Sequence, residues 1–464
     1  MNSFIENLYS KSALLLIFAV VLCGGVFGQK SAPAVGDNDT RVPDQIIIEL
    51  NPLVPTDLPT IATQYNLTLL DQVGTPPTYL MRINDGQTPE QKLQAMRPDT
   101  RVLTIEFNRI LSQNEREGLP WTIGRTWSIG RTWSIGGSDK SYRRQWFPQM
   151  MRLAQAHDVA NGGSIGTGVT VAVLDTGIDP NHPAFANRLA PGYDFVDDDT
   201  DPTEEGTLWQ GAYGHGTHVS GIVAITAPGA KIMPLRVLDE NGEGELWRVQ
   251  RAIIWALKNG AQVVNLSMSF PHDGTQQNIE VLKKVMDFCD DGTEAGGKIY
   301  PEIQNNRCVM VAGAGNGGND ARVYPAALRA ESVDMMSVAA GTRYDRLATF
   351  STINGVMSSG GDEWVRFVAP GENIVSALPG GRYGSWSGTS MAAPIVAGIA
   401  ALVKAKVPGI NTEDLIDRVE DSGFEWECRL ASRNYSIDTS RVDAFCAVAG
   451  NFACGPPRAG TCPE

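Results

Sequence analysis

Apolar and polar positions alternate along this chain in two distinct styles. Between residues 45 and 107 the runs are short. Residues 45–50, 67–73 and 78–84 read as strands, 56–65 as a helix, and 101–107 as a last strand. Thr88-Pro89-Glu90 opens a second helix to Met96, with Thr88 as N-cap and proline in the first turn. The order β-α-β-β-α-β predicts a small ferredoxin-like α+β unit. From residue 168 the pattern lengthens. The β-branched run 169–174 and residues 231–238, 263–268 and 308–312 read as strands. Leu246, Val249, Ile253 and Leu257 fall at helical spacing within 245–259, and 278–290 predicts another helix. Strands alternating with helices predict an α/β domain with a doubly wound, mainly parallel sheet, whose sites lie beyond the C-terminal ends of its strands.

Asp175 falls at such an end, followed by Thr176-Gly177. Gly388-Thr389-Ser390-Met391-Ala392-Ala393-Pro394 leads into an Ala/Ile/Val-rich run, which predicts a serine at the start of a buried helix. Unpaired backbone N–H groups gather there, and the proline suits a first turn. A serine is a weak nucleophile without a base and an orienting acid. The chain has five histidines, two of them in Gly214-His215-Gly216-Thr217-His218 before small apolar residues. Chain order alone leaves His215 and His218 as rival bases.

These three segments, in the order Asp, His, Ser, resemble the subtilisin-like serine proteases (subtilases) over residues 142–448. The resemblance implies Asp175, His215 and Ser390 as a catalytic triad in a serine endopeptidase acting through an acyl-enzyme. It also implies Asn316, in Gly315-Asn316-Gly317, as the side-chain donor to the oxyanion. Leu238, Gly242, Gly244 and Leu246 lie in a segment similar to the one that pairs with substrate in that family. Ser267, Met268 and Ser269 resemble a wall of the primary pocket, although Ser269 and Phe270 stand where family members usually carry glycine. Asp194, Asp197, Asp199, Asp201 and Thr203 resemble a calcium loop ahead of the catalytic histidine, which implies a structural calcium ion and no cofactor for the chemistry. Residues 45–111 resemble in position and order the inhibitory propeptide, expected to leave its C-terminal end in the cleft like a product. The implied protein is a self-processing, monomeric proenzyme whose partners are polypeptide substrates and its own propeptide.

Composition narrows this further. A formal charge of −14 disfavours nucleic acid as a partner. Residues 1–28 carry a short apolar run ending in small residues. A secretory signal peptide is expected there, hence a secreted protein with no stable membrane association. Six further cysteines suit disulfides, and a bridge from Cys289 to Cys308 would close the loop between them. Residues 112–141 form a linker containing the tandem unit Arg-Thr-Trp-Ser-Ile-Gly, either a plain duplication or a segment whose tryptophans dock on the protease. Residues 142–449 make the catalytic domain and 450–464 a cysteine-containing tail. The self-processing bond is expected between Leu111 and Tyr142. Asp175-Thr176-Gly177 and Asp421-Ser422-Gly423 also match an aspartic-protease signature, but that chemistry needs two carboxylates sharing a proton.

Overall fold

In a computed structural model the described residues are 40–74, 76–113, 134–135, 138–160, 165–207, 210–271, 279–287, 289, 308–319, 321–331, 333–352, 364–430 and 435–450. The expected export segment, most of the tandem repeat and residues 451–464 lie outside them.

The first elements are β1 (Arg41–Leu50), α1 (Leu58–Gln64), β2 (Leu67–Val73), β3 (Thr78–Ile83), α2 (Pro89–Met96) and β4 (Val102–Gln113). Thr88 and Gln91 close a reciprocal capping box on α2, which fixes that helix locally. The four strands pair antiparallel in the order β4-β1-β3-β2. Ile46, Ile48, Met81 and Ile105 turn inward from them onto Ile61 of α1 and Leu93 and Met96 of α2. β4 runs six residues past the end expected from its pattern.

A two-residue strand, β5 (Ser134–Ile135), and three short helices, α3 (Asp139–Arg143), α4 (Phe147–Met150) and α5 (Leu153–Val159), lead into the larger part. Its elements are β6 (Thr170–Asp175), β7 (Tyr193–Asp194), α6 (His215–Thr226), β8 (Lys231–Arg236), β9 (Glu243–Glu245), α7 (Leu246–Lys258), β10 (Val263–Leu266), β11 (Met268–Pro271) and α8 (Glu280–Asp287). Then follow β12 (Val309–Gly313), β13 (Val323–Tyr324), β14 (Met335–Gly341), β15 (Phe367–Pro370), β16 (Ile374–Leu378), β17 (Arg382–Trp386), α9 (Thr389–Lys406), α10 (Thr412–Asp421), β18 (Phe424–Leu430), β19 (Tyr435–Arg441) and α11 (Ala444–Ala449).

Nine strands form one sheet in the order β18-β19-β15-β14-β12-β10-β6-β8-β7. All pairs are parallel except the edge hairpin β18–β19. One face is covered by α6 and α9, the other by α7 and the segment around Ala326–Leu328. Both faces are therefore buried, which is why β6, β10, β12 and β14 read as continuous apolar runs rather than alternating ones. Cys289 and Cys308 are joined as a disulfide ahead of β12. Ser134 and Ile135, from the second repeat unit, pair with Ser385 and Gly384 of β17.

Candidate active site

Strand β6 delivers Asp175 to the C-terminal edge of the sheet, where it is fully buried. Its Oδ1 accepts from His215 Nδ1 at 2.7 Å and from Thr176 N at 2.8 Å. His215 is the first residue of α6, and Gly214 ahead of it takes φ +96°. The next residue, Gly216, faces Gly177: a Cβ on Gly216 would lie 2.2 Å from the Gly177 carbonyl oxygen. The glycines of this region thus let the turn after Asp175 and the helix that begins with His215 touch.

The rival histidine occupies a different setting. His218 is buried and stacked on Trp386, with ring centroids 4.6 Å apart. Its Nε2–H donates to the carbonyls of Ile374 and Gly384. Burial, with His215 nearby, pushes it down to about 3, so it stays neutral and structural.

Ser390 is the second residue of α9, a helix apolar on all sides that packs along α6. Its hydroxyl donates to the Ser267 carbonyl at 3.2 Å, and Ser267 Oγ donates in return to the Ser390 carbonyl at 3.2 Å. Pro394 explains the second bond, and it sits deeper in the helix than the first turn that its spacing predicts. Lacking an N–H, it leaves the Ser390 carbonyl without its i+4 donor, and Ser267 supplies one. Asn265 Nδ2 donates to Ser267 Oγ at 2.9 Å and so holds this clasp from the floor of the site.

Asn316 follows β12. Its Oδ1 accepts from Thr389 N at 2.9 Å, and Thr389 Oγ1 accepts from Gly315 N at 3.1 Å. The carboxamide is therefore fixed to the residue preceding Ser390, with its amino end as the donor end.

Of the expected substrate-side residues, Gly244, Met268 and Ser269 pair directly with a strand, and that strand is β4. Leu111 is opposite Gly244, Ser112 opposite both Glu243 and Ser269, and Gln113 opposite Met268. A Cβ on Gly244 would come within 2.3 Å of the Val237 carbonyl oxygen, so only glycine fits where β9 packs back on the segment after β8. Leu111 is fully buried in the apolar cluster that contains Leu238 and Leu246. Gly242 takes φ +77° in the turn before β9 and is not paired with β4. Glu245 accepts from Asn108 Nδ2 at 2.9 Å.

The calcium loop is a different matter. Asp194 Oδ2 and Asp197 Oδ2 both take Arg236 Nη1, at 2.6 and 2.5 Å, and Glu205 takes Nη2 at 3.1 Å. Asp199 and Asp201 spend an oxygen each on the N–H groups of Asp201 and Thr203. Among the described residues no three acidic, histidine or cysteine side chains are grouped to hold a metal ion. The buried end of the loop is thus neutralised by a guanidinium, while Asp199 and Asp201 lie at its exposed end. Asp421 closes α10, and the side chain that meets Asp175 is the imidazole of His215 rather than the second carboxylate an aspartic protease requires.

One residue of the site carries no sequence signal. Glu204, next to the acidic loop, is buried and accepts from Gly214 N, from Thr217 N and from the hydroxyls of Thr176 and Thr217. Burial pushes its carboxyl up to about 7, against the pull of the two hydroxyls.

Comparison with known proteins places the chain in a family. The Subtilase family profile (peptidase S8) matches residues 166–432. The chain is 36% identical over 314 residues to a thermophilic serine proteinase of Bacillus sp. (strain AK1), covering 66% of this chain and 67% of that one. It is 34% identical over 298 residues to thermitase of Thermoactinomyces vulgaris, covering 61% of this chain and 92% of that one. The structure of fervidolysin from Fervidobacterium pennivorans, described as a keratinolytic enzyme related to subtilisin, superposes with a TM-score of 0.60 at 22% identity. That superposition covers 91% of this chain and 62% of that one, and speaks for the fold. With a match over more than half its length, the chain belongs to the subtilase family and is a serine endopeptidase acting on polypeptides.

Proposed function

We propose that the protein is an exported proenzyme that processes itself, with Ser390 as nucleophile, His215 as general base and then acid, and Asp175 as the carboxylate that holds the imidazole. In this reading the His215 Nδ1–H faces Asp175, so Nε2 is the basic nitrogen. The Ser390 hydroxyl turns from the Ser267 carbonyl toward Nε2, gives up its proton and attacks the substrate carbonyl. The imidazolium then protonates the leaving amine, and water repeats the cycle on the acyl-enzyme. Developing negative charge on the oxygen is met by the amino group of Asn316 and the backbone N–H of Ser390.

Residues 45–111 act as an inhibitory propeptide. The observation that carries this is the pairing of β4 between β9 and β11, antiparallel to both, which gives the enzyme its own chain in the manner of an extended substrate. The register advances one residue at a time, from Ser112 opposite Ser269 to Gln113 opposite Met268. Ser267, whose carbonyl takes the Ser390 hydroxyl, comes next. The bond expected to be cut is therefore the one after residue 114. Export rests on the apolar run of residues 1–28.

The test is a comparison of the full chain with Ser390→Ala for casein hydrolysis and for labelling by a serine-reactive phosphonyl fluoride. The wild type should cut and be labelled at Ser390, and the variant should do neither. Equal hydrolysis by both would sink the assignment.

A further inference from the structure

The geometry points to Glu204 as a positioning residue that holds the acid and the base of the site in register. The inference rests on Asp175 and His215 having the roles proposed above.

Helix α6 begins with an uncapped glycine: Gly214 has no side chain to offer the first amides, although the helix is twelve residues long and buried at its start. Such amides need partners. They find them on Glu204, which arrives from a separate segment. Its Oε1 accepts Gly214 N at 2.6 Å and its Oε2 accepts Thr217 N at 3.1 Å. The other donors to the same carboxylate are the hydroxyls of Thr176, on Oε1, and Thr217, on Oε2. Each hydroxyl has one proton and gives it to Glu204, so each oxygen is left to accept. Thr176 Oγ1 accepts Gly216 N at 2.9 Å, and Thr217 Oγ1 accepts Asp179 N at 2.9 Å.

The consequence is a closed circuit around His215. The residue before it is held by Glu204 directly, and the residue after it through Thr176. Thr176 is also the neighbour of the acid, and its N–H is fixed on the same Asp175 oxygen that receives the imidazole proton. Glu204 itself is anchored, since its N–H donates to the Ile178 carbonyl at 2.9 Å and Ile178 N to the Pro202 carbonyl at 3.0 Å. All four donors aim at the two oxygens of the ionised carboxylate, the form present at alkaline pH, and an amide cannot replace it, because its NH2 end has no capacity to accept. Glu204 touches no reacting atom. Its effect is transmitted through the angle and distance between Asp175 and His215, which is where a small displacement is costly.

The experiment uses the full chain after self-processing. For Glu204→Gln, kcat on a peptide substrate should fall roughly 10- to 100-fold, the range a shift of about an ångström costs. KM should stay within about two-fold, because the substrate-pairing strands are untouched. In the same variant the far-downfield proton resonance of the His215 Nδ1–H should move or broaden. A folded Glu204→Gln with near-normal kcat and an unmoved resonance overturns the inference and leaves Glu204 as a helix cap only. If that variant does not fold, Thr176→Val and Thr176→Ser decide. A loss of kcat in the valine variant, largely restored by serine, supports the circuit, and a valine variant with undiminished kcat refutes it. Undiminished activity in His215→Ala would instead mean that the triad reading itself fails.

Discussion

The antiparallel sheet of residues 41–113 and the parallel sheet behind it are held in different ways. The parallel sheet is packed on both faces, by α6 and α9 on one side and by α7 on the other, and its core is internal. The small sheet closes on only nine buried apolar side chains, a marginal core for about 70 residues. Its other face is completed by its neighbour: Ile47 and Leu80 meet Trp247 and Val281 of the two helices beneath. Polar groups follow the same plan. Glu106 accepts Val281 N at 2.6 Å, Asn108 accepts Trp247 N at 3.2 Å, and Lys284 reaches Glu49 at 2.7 Å. One region carries its own stability, while the other borrows much of it from the docking surface. That asymmetry suits the propeptide role proposed above.

If the parallel sheet is self-sufficient, its weakest points are its buried charges. Arg236→Ala would strand the buried Asp194 and should cost about 3–5 kcal/mol. Denaturant melts of the parent and the variant check this, and a variant as stable as its parent would contradict the buried-pair account.

On the other side of the comparison, Leu111→Ala tests how much docking depends on the end of β4. A fully buried leucine truncated in a packed pocket costs roughly 2–5 kcal/mol. After the tether is cut, the lag before full activity should shorten, while the melting of the parallel sheet stays as it was. An unchanged lag would mean that the small sheet is held by its helices alone.

The smallest effect concerns His218. Its folded pKa, about 3, lies below the ordinary value near 6.5. Between those values the unfolded chain binds a proton that the folded one refuses. Stability therefore falls as pH drops through that window. It is unaffected by His218 above that window. Denaturant titrations of the uncleaved Ser390→Ala chain from pH 7 to 4 should show a shallower fall when His218 is also replaced by glutamine. Parallel slopes would contradict the neutral, structural assignment.

Much of this architecture was legible in the sequence, for identifiable reasons. Strand β2 begins and ends where its apolar pattern does. Buried strands of the parallel sheet stand out because both faces are covered. The segments around Asp175, His215 and Ser390 stand out because close approach demands glycine and small residues beside the functional groups, as Gly216 against Gly177 shows. What could not be read depends on partners distant along the chain. The aspartates of the acidic loop have the alternation of metal ligands, yet the cation they meet is Arg236, 39 residues after Asp197. Glu204 looks like one more solvated acid of that loop, and only its fold-mates reveal it as a carboxylate with four donors. The end of β4 has no strand pattern of its own, because its partners are β9 and β11. Spacing alone puts Pro394 in a first turn, and the clasp with Ser267 is invisible until both segments are in place.

The most direct test of the proenzyme claim is the position of the self-made cut. Freshly folded full chain and its Ser390→Ala variant would be followed by intact-mass spectrometry over time. The expected result is a wild-type chain that yields a new N-terminus at Glu115 while the variant stays whole. A chain that cuts itself far from residue 114, or a variant that is cut at the same bond, would contradict the reading of β4 as the enzyme's first substrate.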